Sequence, residues 1–106
     1  MKRIRIKGKA LSALNAEIHY RDSDSCVSCG AWVHPGEKFH HEPCGCYKED
    51  RLECGVTACG SCHHERHFGK DPNFYKDKIM DYLSRLYPEY WGLERGHFGR
   101  DSNDNT

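Results

Sequence analysis

The sequence predicts a small α+β domain, with short strands and a helix in its middle and a longer helix on either side. Three observations carry the prediction. The chain has 106 residues, a length at which the apolar core is modest and a staple such as a metal ion is often needed. Six of the eight histidines and all seven cysteines lie between Cys26 and His67. Apolar residues recur at helical spacing on both sides of that stretch, from Leu11 to Ile18 and from Tyr75 to Leu86. One domain follows, with a basic arm and leading helix over 1–25, a core over 26–70, and an amphipathic helix with an aromatic segment over 71–100. The polar stretch 101–106 is expected to be disordered.

Arg3-Ile4-Arg5-Ile6-Lys7 alternates and predicts a short strand. Leu11, Leu14 and Ile18 share one helical face, which continues toward Tyr20. Asp22-Ser23-Asp24-Ser25 ends that helix as a polar loop. Gly30 allows the turn after Cys29. Trp32-Val33-His34 and Lys38-Phe39-His40-His41 read as two strands, with Pro35-Gly36 suited to the centre of a type II turn. Residues 43–53 have no period and read as a loop, and residues 54–58 as a further short strand. A helix is expected from Gly60 through His67, stopping at Gly69. Asp71-Pro72 is a cap followed by a first-turn proline. The next helix carries the stripe Tyr75, Ile79, Leu83 and Leu86, flanked by Met80 and Tyr87, and Pro88 stops it. Tyr90 and Trp91 are expected to dock back as an aromatic anchor.

Basic and acidic residues balance at 16 each, so net charge names no partner. The first ten residues, however, carry Lys2, Arg3, Arg5, Lys7 and Lys9 with no acid. Such an arm can lie on phosphate or remain a solvated terminus. Residues 1–25 hold no long apolar run, and no segment approaches the ~20 apolar residues of a membrane span. A soluble intracellular protein is expected, and in a reducing compartment seven cysteines are a poor basis for disulfides.

Cys26, Cys29, Cys59 and Cys62 form two Cys-x-x-Cys pairs, each able to present two thiolates to one tetrahedral zinc ion. The pairs are 29 residues apart, more than the roughly 15–20 of a zinc ribbon, so the loop they close has room for a small substructure. Cys44, Cys46 and Cys54 read as loop and core thiols. His63 and His67 lie four apart on the predicted helix and share a face. The cysteine pairs bring that helix to the strand bearing His40 and His41. Adjacent strand residues point to opposite faces, so one of these two can join His63 and His67 on an ion while the other stays free for proton transfer. Three histidines with open positions make a catalytic rather than a closed structural geometry.

Over residues 18–70 this pattern resembles the HNH (His-Me finger) endonucleases in their zinc-knuckle form. The matching features are Tyr20-Arg21-Asp22 before the first cysteine pair, the double histidine 40–41, and the second pair running into His63-x-x-x-His67. The chain is similar to the short free-standing nucleases that phages and mobile elements carry. The resemblance implies a ββα-metal fold and metal-dependent hydrolysis of DNA in the cytoplasm, the host's for a phage-borne protein. It implies His41 as the general base and His40, His63 and His67 as ligands of a divalent ion. Structural zinc would sit on Cys26, Cys29, Cys59 and Cys62. The working ion implied is a divalent one: magnesium, manganese, nickel or zinc. Arg66, Arg51 and Lys48 are candidates for charge stabilisation, and Lys48, Arg51 and the basic arm for DNA contact. No membrane and no small-molecule cofactor are implied.

One departure stands out: the family's central asparagine falls on Cys54, nine positions before His63. A thiol is a poor hydrogen bonder, which leaves Glu53 or Asp50 to aim the base. The rival reading is therefore a zinc-built module that binds nucleic acid or protein and has lost the chemistry. A Cys-x-x-Cys redox protein is disfavoured, because the βαβ setting of that motif is absent.

Overall fold

The computed structural model describes residues 4–43 and 45–92. Among them are three helices and a two-stranded antiparallel sheet, in the order α1 (Lys9–Arg21), β1 (His40–His41), β2 (Gly55–Val56), α2 (Gly60–Phe68) and α3 (Pro72–Leu86). Two single-turn 3-10 helices, Gly45–Tyr47 and Leu52–Cys54, lie between the strands. No helix of the described residues is long and apolar enough to cross a membrane.

Helix α1 follows Gly8, whose φ of 63° is costly for any residue with a Cβ. It buries Leu14 and Ile18 against Phe39, with Ile6, Leu11 and Leu52 around them. The face does not extend to Tyr20, which is 88% exposed. His19 takes the buried position instead, because both its ring nitrogens find partners there: Asp24 Oδ1 at 2.9 Å and the Glu37 carbonyl at 2.8 Å. At the end of α1, Arg21 donates to the Leu52 and Gly55 carbonyls, each at 2.7 Å, and pairs with Asp22. Asp22 in turn accepts from Thr57 N–H at 2.8 Å and from the Tyr82 hydroxyl. These buried contacts tie α1 to β2 and α3, and they give the Arg21-Asp22 dipeptide a structural role.

The strand pairing differs from expectation. His40 pairs with Val56 and His41 with Gly55, rather than residues 38–41 folding back on 32–34. Backbone bonds around that earlier segment go to the first cysteine pair instead: Cys26 N–H bonds Ala31 O at 2.8 Å and Val33 N–H bonds Asp24 O at 2.7 Å. Trp32 makes only an isolated bridge to Ser25. A turn does form at Pro35-Gly36, with Glu37 N–H on His34 O, but Gly36 lacks the positive φ of a type II turn. Residues 4–7 are irregular rather than a strand. Gly55 has extended backbone, and its lack of a side chain matters for space: a Cβ would lie 2.6 Å from the Phe39 ring and 2.7 Å from Ile18.

Helix α3 starts as read, with Asp71 accepting from Phe74 N–H and Pro72 in the first turn. Ile79, Met80 and Leu83 pack with Cys54, Val56 and Trp91. The Trp91 indole N–H closes this cluster on Glu53 O at 2.8 Å. Leu86, expected on the buried stripe, is 44% exposed, because the helix ends there and Tyr87 turns away from its axis. A third small cluster, Cys26, Val33 and Cys62 with Tyr75 beside it, surrounds the cysteines. The polar tail 101–106 and the residues from 93 on lie outside the described residues.

Candidate functional site

Helix α2 carries most of the site. Cys59 caps its N-terminus, its Sγ accepting from Cys62 N–H at 3.4 Å. The next turn carries His63, and His67 follows four residues later on the same face. The loop from Ser25 to Gly30 brings Cys26 and Cys29 to the start of the same helix. The sulfurs of Cys26, Cys29, Cys59 and Cys62 lie within 4.8 Å of one another. The Cys29–Cys59 separation is 3.7 Å, and a tetrahedral site with zinc–sulfur bonds of about 2.3 Å requires about 3.8 Å between sulfurs. The four cysteines can thus hold a metal ion such as zinc. Burial raises the Cys26 thiol, but N–H groups of Cys59, Cys29 and Ser28 outweigh it and bring it down to about 7. Burial and the neighbouring sulfurs push Cys62 up.

The second group joins β1 to α2. His40, His63 and His67 bring one ring nitrogen each within 4.8 Å of the others, with ring centroids 4.8 to 5.4 Å apart. His63 Nε2 and His67 Nε2 are 3.1 Å apart. Two nitrogens bound at about 2.0–2.1 Å to one ion with an angle near 100° stand at about this distance. Burial lowers the affinity of both rings for a proton, which keeps them in the neutral form that ligates. His40 is buried, and its Nε2 faces Glu42 Oε1 at 3.0 Å, so Nδ1 is the nitrogen left for an ion.

His41 has a different partner. Its Nε2 lies 2.8 Å from Asp50 Oδ1. Asp50 is buried and also accepts from Ile6 N–H at 2.8 Å and Arg5 Nε at 3.0 Å. Burial pushes the Asp50 carboxyl up, but the donors His41, Ile6 and Arg5 prevail and hold it at about 2. Burial lowers the His41 pKa below its ordinary value even though Asp50 pulls the other way. The ring is therefore neutral at pH 7, with Nε2–H on Asp50 and Nδ1 free. His41, His40, His63 and His67 line one cleft of about 240 Å³, rimmed by Arg5, Lys38 and Lys48.

The other sequence candidates fall as follows. Arg66 does not reach the cleft; its guanidinium makes a two-pronged pair with Glu42 at 3.0 and 2.7 Å. That pairing holds it beside His40 and on the helix between His63 and His67. Arg51 pairs with Glu49 at 2.8 Å and lies over the Tyr90 ring. Lys48 lines the cleft, as does Arg5. Lys7 and Lys9 are exposed, whereas Lys2 and Arg3 lie outside the described residues. Cys54 is a core thiol that donates to the Tyr90 hydroxyl, with its pKa raised to about 11 by burial. Cys44 and the Cys46 side chain lie outside the described residues. Of Glu53 and Asp50, it is Asp50 that touches the second histidine. Glu42 and Lys38 were not found from sequence. Glu42 had a usable signal, because residues two apart on an extended strand share a face with His40. Lys38, two residues before His40, carried the same signal. Comparison with protein-family models, curated proteins and solved structures finds no match.

Proposed function

We propose that this chain is a metal-dependent HNH endonuclease of the ββα-metal type, hydrolysing DNA phosphodiester bonds, with structural zinc on Cys26, Cys29, Cys59 and Cys62. One observation supports the reading above the others. Three ligand-type nitrogens, from His40, His63 and His67, share a cleft with a separate, carboxylate-held neutral histidine. A divalent ion there would polarise the phosphate and stabilise the leaving 3′ oxygen.

The protein's own groups supply the remainder. Asp50 fixes the His41 ring and its tautomer, so Nδ1 takes a proton from water as the water oxygen bonds to phosphorus. The bond from phosphorus to the 3′ oxygen breaks, and that oxygen leaves with a proton from solvent. Arg5, Lys38 and Lys48 on the rim attract the polyanion and offset charge on the non-bridging oxygens. The Asp50 contact supports the reading despite Cys54, since it gives His41 a carboxylate partner.

Plasmid nicking against divalent-ion concentration tests this for four alanine variants. His41→Ala should keep its ion affinity and lose activity by roughly 10²–10⁴. His40→Ala, His63→Ala and His67→Ala should bind the ion weakly and recover partly with added metal. If none of the four changes cleavage, the protein is a binding module and the nuclease reading is wrong.

A further inference from the structure

Glu42 is 1% exposed, among the most buried side chains of the described residues, and it is charged. Its Oε1 faces His40 Nε2 and Arg66 Nε, each at 3.0 Å, and Oε2 accepts from Arg66 Nη2 at 2.7 Å. Its main-chain N–H bonds Cys54 O at 3.0 Å, next to the β1–β2 ladder. Arg66 sits on α2 between His63 and His67. The pair thus joins the strand that carries one candidate ligand to the helix that carries the other two.

Stability alone does not call for this arrangement. A buried ion pair gains little over apolar side chains of the same volume, while losing one partner is costly. Its chemistry is more specific. An arginine is always protonated, and a carboxylate gripped by its fork is an acceptor only. The nitrogen of His40 that faces Glu42 must then carry the hydrogen. In the neutral ring the lone pair is left on Nδ1, the nitrogen not engaged by Glu42. Outer partners of this kind orient a ligand and raise its basicity.

We propose that Glu42 is a positioning residue: it selects Nδ1 of His40 as the ligating atom and, through Arg66, gathers the three nitrogens before any ion arrives. The inference rests on the reading that His40, His63 and His67 hold a divalent ion. Because it concerns the ion-free ring as well, it has a readout separate from cleavage.

The test uses the full chain with its four-cysteine site loaded, as checked by elemental analysis. Long-range proton–nitrogen spectra of the imidazoles are recorded before and after further zinc is added. His40 should show hydrogen on Nε2 without the ion, and with zinc its Nδ1 should shift while Nε2 keeps its hydrogen. Calorimetry on E42Q should show zinc binding at the histidines weakened about 10–100-fold, with the four-cysteine stoichiometry unchanged. A His40 ring protonated on Nδ1, or one that binds zinc through Nε2, overturns the proposal. So does an E42Q that folds and binds zinc within about twofold of the wild type. If E42Q does not fold, the wild-type spectra decide. If the wild type takes up no zinc beyond the four-cysteine site, the three-histidine reading fails and the inference fails with it. Normal uptake with an indifferent E42Q overturns the role of Glu42 alone.

Discussion

Replacing Asp50 with asparagine removes the carboxylate that anchors His41 and pairs with Arg5 on the cleft rim. The carboxylate is buried and receives three donors: His41 Nε2, Ile6 N–H and Arg5 Nε. Its pKa falls from 3.8 to about 2 on folding. That interval is worth about 2.4 kcal/mol at neutral pH, and solvent near Arg5 screens it to roughly 1–2 kcal/mol. Because the folded pKa is depressed, the stabilisation is present above 3.8 and is lost as the pH falls through about 2. The wild type should therefore exceed Asp50→Asn by roughly 1–2 kcal/mol at pH 7, or about 5–15 °C in Tm. The contribution of the carboxylate itself should shrink as the pH falls from 3.8 through about 2. Urea unfolding of both proteins across this range measures it. The amide can also present N–H to His41 Nε2 and reverse the tautomer, so cleavage should fall at least about 10²-fold with ion affinity unchanged. A gap under about 0.5 kcal/mol at pH 7, or one that does not narrow in acid, would refute the assigned role of Asp50.

Three further outcomes follow from other parts of the structure. Cys29→Ser should abolish binding of the metal at the four cysteines and most of the folding stability, because metal binding there is folding energy; elemental analysis and circular dichroism read both. Gly55→Ala should cost about 1–3 kcal/mol in thermal unfolding, since the added methyl would press on the Phe39 ring and Ile18. The Cys54 thiol, buried and raised to about 11, should resist iodoacetamide in the folded protein at pH 8 and react only on unfolding, as followed by mass spectrometry.

Features defined over a few residues were legible without coordinates. The spacing of Cys26, Cys29, Cys59 and Cys62 announces a four-cysteine cluster that could hold one metal ion, and His63 and His67 share a face because a helix repeats every 3.6 residues. The cap at Asp71-Pro72 and the return of Trp91 to the core belong to the same class. Which strand pairs with β1 was decided only in three dimensions. Turn chemistry at Pro35-Gly36 suggested a local hairpin, but the backbone donors there close the loop around Cys26, and β2 takes the place. The partners of the two adjacent histidines also needed the fold. Alternation along a strand separates His40 from His41, yet it does not say that Glu42 receives one and Asp50 the other. Arg66 shows the same limit, for its position on α2 suggests an exposed cation, and only the approach of β1 gives it a buried carboxylate to hold. Periodicity and capping are short-range rules carried by the chain itself, whereas a side chain's partner depends on how loops tens of residues long close in space.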